Sequence, residues 1–300
     1  DLDWSSRSLY LNSGLKNNIL ANIRNINYEA KNVEPFKSDT TSEIFGALGF
    51  LSELNLVKKL GSSKHYFTPK LLLRYSPGSM RKQEEGFKLD STNAFSLDRL
   101  ETLNNYETGM TGTLGFDYKI KGKTKKFDFS VAQIVSEKEN KKMNSKTSLD
   151  EKLSDFVGDA TLKFNENFSL NYNFNIDQNY NDFNYNEIGT NLQYGSINFD
   201  FNYLKEKKHI GNQDYFKTKI KYENMKNSLI SFETKRNLIT SSSEFYNLSY
   251  EYINDCLRAG LIYRREFYND SELEPENSLM FKITLVPFGN LNSPSFSKWN

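Results

Sequence analysis

The chain holds few residues of the kinds that perform catalysis or bind metals. It has one cysteine, Cys256, and two histidines, His65 and His209, and no carboxylates stand at metal-ligand spacing from either histidine. No nucleophile elbow, phosphate-binding loop or zinc motif occurs. The many Asp and Glu residues are scattered, which is typical of solvated surface groups. We therefore predict that the protein is not an enzyme and uses no metal or cofactor.

Charge and hydropathy narrow the class further. The 39 basic and 38 acidic residues give a net charge of +1, so we expect no nucleic acid partner. No run approaches the roughly 20 apolar residues of a membrane helix. The mean hydropathy of −0.69 still allows a membrane β-barrel, because such barrels place polar side chains on half of each strand. The chain opens at Asp1 without a signal peptide, and we interpret it as a fragment or a processed C-terminal part.

The elements that position side chains in this sequence are strands. Between Phe168 and Tyr203, apolar and aromatic residues alternate with polar ones, with a break at residues 178–187 and a tight turn at Gly195-Ser196. Because successive side chains of a strand point to opposite faces, each strand here has one apolar and one polar face. The residues that we expect on a polar, lumen-facing side are Asn171, Asn173, Asn175, Asn191, Asn198 and Asp200.

The same alternation continues along most of the chain. At about 19 residues per strand and connection, it predicts roughly fifteen or sixteen strands. Residues 43–58 are apolar on both phases and fit either a strand or a short helix. Pro69 interrupts the strand at 65–75, which is tolerated best near a sheet edge or a strand end. We expect loops at 76–89 and 137–148, the second as a mobile extracellular loop or a solvated linker. The last strand is predicted at 279–285.

Two architectures give alternating strands. A soluble sandwich buries one face of each sheet. A membrane barrel is favoured by the long strands, by the Phe and Tyr on their apolar faces, and by tight turns that alternate with long charged loops. We predict an all-β fold, an antiparallel transmembrane β-barrel of the bacterial outer membrane.

Four stretches resemble the C-terminal barrel of the LptD family of lipopolysaccharide assembly proteins. They are Asp90–Arg99 with Glu107-Thr108-Gly109, then Val131-Ala132-Gln133, then Leu153–Gly158, and finally 255–264 with 281–289. The motif positions are Asp98, Arg99, Gly109, Gln133, Ser154, Asp155, Gly158 and Arg264. Ala132 stands where the family usually has Gly, and Cys256 is single where many members carry adjacent cysteines. We interpret the Asp98-Arg99 and Ser154-Asp155 motifs as loop and strand-end structure.

The resemblance implies that residues 1–300 are the C-terminal part of a barrel of about 26 strands, with the motifs in 89–289 and a tail at 290–300. It implies lipopolysaccharide transport in the cell outer membrane, through a polar lumen and a seam between the first and last strands. The implied partners are lipopolysaccharide, outer-membrane lipid, a plug lipoprotein of the LptE type, and a periplasmic lipopolysaccharide bridge reached through an N-terminal domain.

For Cys256 the resemblance implies a disulfide to a cysteine of that N-terminal domain, which the oxidising periplasm permits. The alternative is a free buried thiol. For the whole chain, the alternative function is a diffusion porin or ligand-gated channel. That alternative predicts a lumen narrowed by an inserted loop.

Overall fold

Strands form where the sequence alternates. The computed structural model describes residues 1–31, 39–100, 102–224, 227–254, 256–267 and 277–285. Within them lie 17 strands of an antiparallel sheet and two short 3₁₀ turns, Asn93–Phe95 and Ser145–Thr147. The all-β prediction is confirmed.

No helix among the described residues is long and apolar enough to span a membrane.

The chain divides into two units. Unit 1 comprises Asp1–Glu166, Asn171–Glu187 and Lys205–Asn212, and unit 2 comprises Asn167–Leu170, Ile188–Leu204 and Gln213–Asn300. The strands from Asp1 to Glu166 are β1 (Leu2–Ser5), β2 (Leu9–Tyr10), β3 (Leu15–Ala30), β4 (Asp39–Leu54), β5 (Leu56–Leu60), β6 (Ser63–Ser76), β7 (Gly109–Lys121), β8 (Lys126–Ser136) and β9 (Phe156–Asn165). Strands β1 and β2 both pair with β3, and β4 and β5 both pair with β6.

Three strands have residues in both units: β10 (Phe168–Ile176), β11 (Phe183–Tyr194) and β12 (Ile197–Glu206). The predicted break at 178–187 is too long, because β11 begins at Phe183. Gly195 in the predicted turn has a φ of +55°, which glycine adopts without strain.

In unit 2 the strands that follow pair in sequence as antiparallel neighbours. They are β13 (Gln213–Asn224), β14 (Ser228–Asn237), β15 (Ser242–Ile253), β16 (Leu257–Glu266) and β17 (Asn277–Leu285). The last predicted strand is therefore present and starts two residues earlier. The predicted tail at 290–300 lies outside the described residues.

Strands β4 and β5 replace the helix that we considered for residues 43–58. Glycines at positions 46 and 49 and apolar residues on both phases fit a strand here, because one phase of β4 is covered and the other is exposed: Ala47 is 4% exposed and Leu48 59%. Counting β1 with β2 and β4 with β5 as interrupted strands, the 17 strands become 15, the lower of the two predicted numbers.

Pro69 lies inside β6, not near an edge as expected. It pairs with Phe116 of β7 on one side. On the other side, the pairing of β6 with β4 ends at Lys70 and its pairing with β5 begins at Phe67. Pro69 therefore lies opposite the break between β4 and β5.

The two ends of the unit 1 strands differ. Short turns lie at one end, at 11–14, at Gly61-Ser62 and at 122–125, and we call this the tight-turn end. The other end bears the β6–β7 connection (residues 77–108) and the β8–β9 connection (residues 137–155). This asymmetry of short turns and long loops was predicted from the sequence, and it is typical of outer-membrane barrels.

The two faces of the unit 1 strands differ as well. On β7, Leu114 is 56% exposed while Thr113 is 0% exposed. On β6, Tyr75 is 53% exposed while Arg74 is 1% exposed. The apolar side chains are thus outside and the polar ones are covered, the reverse of a soluble sheet packed on an apolar core. We call these the apolar face and the polar face.

Candidate functional site

The polar face of unit 1 is covered by the two long connections. Arg74 on β6 donates from Nε to the carbonyl oxygen of Leu97 (2.8 Å) and from Nη2 to that of Glu107 (2.7 Å). Thr113 on β7 donates to the carbonyl oxygen of Ala94 (3.0 Å). Strand side chains therefore satisfy backbone groups of the β6–β7 connection, which could not otherwise be buried without cost.

An apolar cluster joins the two connections to the strands. It includes Met80, Leu89, Ala94 and Leu100 of the β6–β7 connection, Ala132 and Ile134 of β8, Met143 and Leu149 of the β8–β9 connection, and Val157 of β9. The prediction of a solvated loop at 137–148 is wrong in this respect. Its charged residues suggested full exposure, but Met143 and Thr147 are buried. The backbone N–H of Gln83 also donates to the carbonyl oxygen of Lys142 (2.8 Å).

A buried ion pair lies within the β6–β7 connection, and its arginine also binds β7. Arg99 donates from Nη1 to both carboxylate oxygens of Glu107 (2.8 and 3.0 Å) and from Nη2 to the hydroxyls of Thr111 (3.0 Å) and Thr113 (3.1 Å). Burial lowers the pKa of Arg99, against the opposing effect of Glu107. Burial alone would raise the pKa of Glu107, but Arg99 and Arg74 outweigh it and leave that pKa below its ordinary value.

Tyr106 sits between two arginines beside this pair. Its hydroxyl donates to Asn22 Oδ1 (2.8 Å), and the guanidinium carbons of Arg74 and Arg24 lie 5.6 and 5.9 Å from its ring centroid. Burial raises the pKa of Tyr106 to about 12, so the phenol is neutral. Arg24 also contacts Asp98 Oδ2 (2.7 Å). The motif residues Asp98 and Arg99 thus each pair with an oppositely charged partner.

The motif at 153–158 fixes the end of the β8–β9 connection. Ser154 Oγ accepts from the N–H of Ile134 (2.9 Å), and Gln133 donates to the carbonyl oxygen of Ser154 (3.1 Å). A Cβ at Gly158 would come within 2.5 Å of the Phe174 ring. Gly109 opens β7 with a φ of +112°, a conformation that favours glycine. These motif positions therefore have local structural contacts.

A second buried charge cluster joins Asp155 to residues 206–209. Asp155, 0% exposed, accepts from Asn184 (2.9 Å) and lies 3.5 Å from Lys208 Nζ. Burial raises the pKa of Asp155, against the opposing effect of Lys208. His209 lies between two carboxylates: Nδ1 is 3.0 Å from Glu206 and Nε2 is 3.8 Å from Asp155.

No partner for His209 was predicted from the sequence, and the structure supplies these two. The carboxylates lie at opposite edges of the imidazole ring, so the three groups do not converge on one point. Among the described residues, no group of three or more His, Cys, Asp or Glu side chains could hold a metal ion.

The six predicted lumen-facing residues fall into two sets. In unit 1, Asn171 is exposed and accepts from Thr161 (3.1 Å), Asn173 donates to Glu187 (3.1 Å), and Asn175 is 2% exposed and donates to the carbonyl oxygen of Leu89 (2.7 Å). Asn175 is thus covered by the β6–β7 connection.

In unit 2, the structure brings Asn191, Asn198 and Asp200 together. The amide of Asn191 donates to both Asn198 Oδ1 (3.2 Å) and Asp200 Oδ1. Also in unit 2, Arg264 pairs with Glu266 and lies over the Phe245 ring. Cys256 is a free, exposed cysteine, so the alternative of a buried thiol is wrong.

Sequence reasoning missed the residues that receive the β6–β7 connection. Arg24 and Arg74 stand on the polar phase of β3 and β6, two residues from Asn22 and Ser76. The signal in the sequence was the presence of large apolar residues within 77–108, namely Met80, Leu89 and Leu100. A loop that is fully exposed to water has no apolar surroundings in which to bury such side chains.

The geometry of these strands places the protein in a class. Long antiparallel strands carry aromatic and aliphatic side chains outward and polar ones inward, and short turns oppose long connections, as in outer-membrane β-barrel proteins. Sequence comparison names the family. The profile described as LptD, LPS transport system D, matches residues 4–256, and the chain belongs to this family of lipopolysaccharide transport barrels of the outer membrane.

The matched range includes residues 4–89, for which the sequence offered only a strand pattern. It ends at Cys256, so most of the fourth resembling stretch lies beyond it. Among curated proteins, no relative matches the chain.

Solved structures similar to the chain include porins of Rhodopseudomonas blastica. One mutant porin is 10% identical with a TM-score of 0.39, and the match covers 88% of each chain. A triple mutant is 11% identical with a TM-score of 0.35, and the match covers 89% of this chain and 94% of that one.

Proposed function

We propose that the protein passes lipopolysaccharide through a polar lumen and releases it into the outer leaflet through a lateral seam of the barrel wall. The observation that carries this proposal is membership of the LptD family over residues 4–256. That the chain is not an enzyme stays a prediction, in keeping with a family of transport barrels.

The two faces of the wall suit an amphiphilic cargo. A large anionic sugar head group needs a hydrated polar path, and the Asn191, Asn198 and Asp200 group offers amide and carboxylate partners of that kind. The acyl chains need apolar surroundings, so they have to leave the lumen sideways. We place this exit at the last strand, β17, because an edge between the first and last strands is the one line of the wall that separates without breaking a hairpin.

Two further features of the proposal follow from the family. A plug lipoprotein of the LptE type would occupy the lumen, and a periplasmic lipopolysaccharide bridge would connect through an N-terminal domain. Cys256 would form a disulfide with a cysteine of that domain, and its exposure leaves the thiol accessible to such a partner. Replacing Cys256 by Ser in the full-length protein should then change its mobility on non-reducing gels. Unchanged mobility would show that Cys256 does not form this disulfide.

One observation favours the rival function of a diffusion porin. The β6–β7 connection packs on the polar face of unit 1, and a loop inserted in this way is what a porin predicts. Conductance in planar bilayers separates the two functions. The transport proposal expects low conductance while the plug lipoprotein is bound, whereas a porin conducts freely.

Site-specific photo-cross-linking tests the lumen path directly. A photoreactive amino acid replaces Asn191 on the polar phase of β11, and the matched control carries it at the next position, Leu192, which is 41% exposed on the opposite phase. We expect lipopolysaccharide adducts at position 191 and bulk-lipid adducts at position 192. Equal lipopolysaccharide labelling at both positions, or labelling at 192 alone, would contradict transport along the polar face.

A further inference from the structure

A row of lysines crosses five neighbouring strands of unit 1. Lys59 of β5 is the direct register partner of Lys64, Lys64 of Lys121, Lys121 of Lys126, and Lys126 of Lys163 in β9. With strands about 4.8 Å apart, the row spans about 19 Å. We call these five residues, Lys59, Lys64, Lys121, Lys126 and Lys163, the lysine row.

The lysine row lies on the polar face. Directly opposed residues of antiparallel strands lie on the same face of the sheet, so all five lysines share one face. Lys64 has the same phase on β6 as Lys70, whose Nζ is 2.6 Å from Asp117 and 5.2 Å from the Phe95 ring centroid in the β6–β7 connection. The row therefore faces the side covered by the connections and not the lipid side.

The lysine row is exposed and lacks carboxylate partners. All five side chains are exposed, and among the residues that the structure describes none of them forms an ion pair. Lysines elsewhere in the strands do have partners: Lys16 pairs with Glu53 (3.0 Å), and Lys217 pairs with Glu233 (2.7 Å). Like charges placed directly opposite destabilise a sheet. Five lysines in register therefore repel one another, and this arrangement indicates that an anionic ligand from outside the chain neutralises them.

The position of the lysine row along the strands indicates at which end of the barrel this ligand binds. The row lies at the tight-turn end, next to the turns at Gly61-Ser62 and 122–125. On the apolar face near the same end, aromatic rings contact one another across β6, β7 and β8: Phe67 with Phe116 (5.2 Å), Phe116 with Phe129 (5.9 Å) and Tyr118 with Phe127 (6.4 Å). Aromatic rings of this kind mark a membrane interface, and short turns of outer-membrane barrels face the periplasm.

We propose that the lysine row binds a phosphate-bearing lipid head group that arrives at the periplasmic end of the polar face. Lysine ammonium groups are point charges that bind phosphate well, and neighbours about 5 Å apart reach one phosphate together. This proposal rests on the proposed function where it names lipopolysaccharide as the source of the phosphate. A phospholipid head group offers the same chemistry, and the experiment separates the two sources.

The experiment compares a row variant with a charge-matched control in the full-length protein. The row variant carries Lys64→Gln, Lys121→Gln and Lys126→Gln. The control carries Lys138→Gln, Lys141→Gln and Lys152→Gln, which removes the same charge from exposed positions of the β8–β9 connection. Binding is measured in a non-ionic detergent with labelled lipopolysaccharide, with the same lipopolysaccharide after removal of its phosphates, and with phosphatidylglycerol.

We expect the row variant to bind phosphorylated lipopolysaccharide roughly 10- to 100-fold more weakly than the wild type. The reason is that each lysine near an anionic lipid surface strengthens binding by a similar factor, and the variant loses three of them. The control should bind as the wild type does, and dephosphorylated lipopolysaccharide should not distinguish the three proteins. Raised salt should narrow the difference between row variant and wild type. A loss confined to phosphatidylglycerol would assign the row to phospholipid and would still support phosphate binding.

Thermal unfolding shows that each variant folds and provides a second readout. Without ligand, the row variant should unfold at a higher temperature than the wild type, because opposed lysines no longer repel. Phosphorylated lipopolysaccharide should raise the unfolding temperature of the wild type more than that of the row variant.

Unchanged binding of both lipids by the row variant would overturn the proposal. This result leaves the transport proposal standing, since that proposal depends on lipopolysaccharide arrival in cells. If lipopolysaccharide still reaches the cell surface after depletion, while the row variant loses binding of phosphatidylglycerol alone, the transport function fails and the lysine row stands as a phospholipid site.

Discussion

At the scale of single residues, charges on the polar face of unit 1 are buried with specific partners. Arg99 is 0% exposed and Glu107 is 4% exposed, and each has hydrogen bonds to the other. A buried ion pair need not stabilise a fold more than apolar residues would, but removal of one partner leaves the other charge uncompensated. Arg99 and Glu107 therefore position the β6–β7 connection, and neither is exposed to contact cargo.

Replacing Arg99 by Met should destabilise the folded barrel by about 3–5 kcal/mol, because Glu107 stays buried without its partner. The double variant Arg99→Met, Glu107→Leu should recover most of this loss, since neither charge of the pair remains. The free energy of unfolding in urea, measured in lipid vesicles, tests both. Lys138→Met is the control: its pair with Glu137 is exposed, and we expect a change within about 0.5 kcal/mol. Equal losses for the single and double variants would contradict this account.

The Arg99–Glu107 pair also makes the stability of the folded protein depend on pH in the acidic range. The pKa of Glu107 in the folded protein lies below its ordinary value of 4.5, so its contribution to stability is present above that value and is lost as pH falls through the folded pKa. The difference in unfolding free energy between wild type and the Arg99→Met, Glu107→Leu variant should therefore shift against the wild type as pH falls below about 4.5. A difference that is constant with pH would show that the pair is not ionised.

At the scale of elements, the β6–β7 connection is held where its backbone passes close to residues 205–212. A Cβ at Gly86 would overlap the carbonyl oxygen of His209 and would lie 3.3 Å from Lys146 Cβ. No side chain fits there unless the backbone moves. The connection is therefore positioned by backbone proximity at Gly86 as well as by the Arg74 hydrogen bonds.

Gly86→Ala should displace the β6–β7 connection at a cost of about 1–3 kcal/mol, as overpacking does, while the strands stay paired. We expect faster tryptic cleavage after Arg81, Lys82 or Lys88 in the folded protein, with heat-modifiable mobility on gels retained. Gly112→Ala is the matched control, because its nearest neighbour would be Leu73 Cδ2 at an ordinary 3.7 Å. Cleavage rates equal to those of the wild type would refute the close contact.

The strands were predictable, whereas the covering of the polar face was not. The period of two in Phe168–Ile176 reflects the geometry of the backbone and needs no tertiary information, so β10 was predicted to within one residue of its observed end. The β6–β7 connection has no period. Its burial depends on partners distant in sequence, such as Arg24 with Asp98 and Asn175 with the carbonyl oxygen of Leu89. For the same reason the contact of His209 with Asp155 was missed.

Register was also beyond the sequence pattern. The lysines at 59, 64, 121, 126 and 163 were visible as separate charges near turns, but only strand pairing places them side by side. Their alignment depends on hairpin turn lengths, and a shift of one residue would move each to the other face. This is why the proposed phosphate site needed the structure.

At the scale of the whole molecule, the two faces and the family together support a path for an amphiphile. The apolar face meets lipid, and the polar face presents amides and charges. The LptD family transports lipopolysaccharide, and residues 4–256 of this chain match it. The lysine row adds an entry point at the tight-turn end, and the covered polar face of unit 1 distinguishes that region from the Asn191 group of unit 2.

The most direct test of the transport function is depletion of the full-length protein in its own cells while newly made lipopolysaccharide is followed to the cell surface. We predict that surface lipopolysaccharide stops arriving while other outer-membrane barrels still assemble. Continued arrival of lipopolysaccharide, together with reduced uptake of small solutes, would contradict the transport function and identify the protein as a porin.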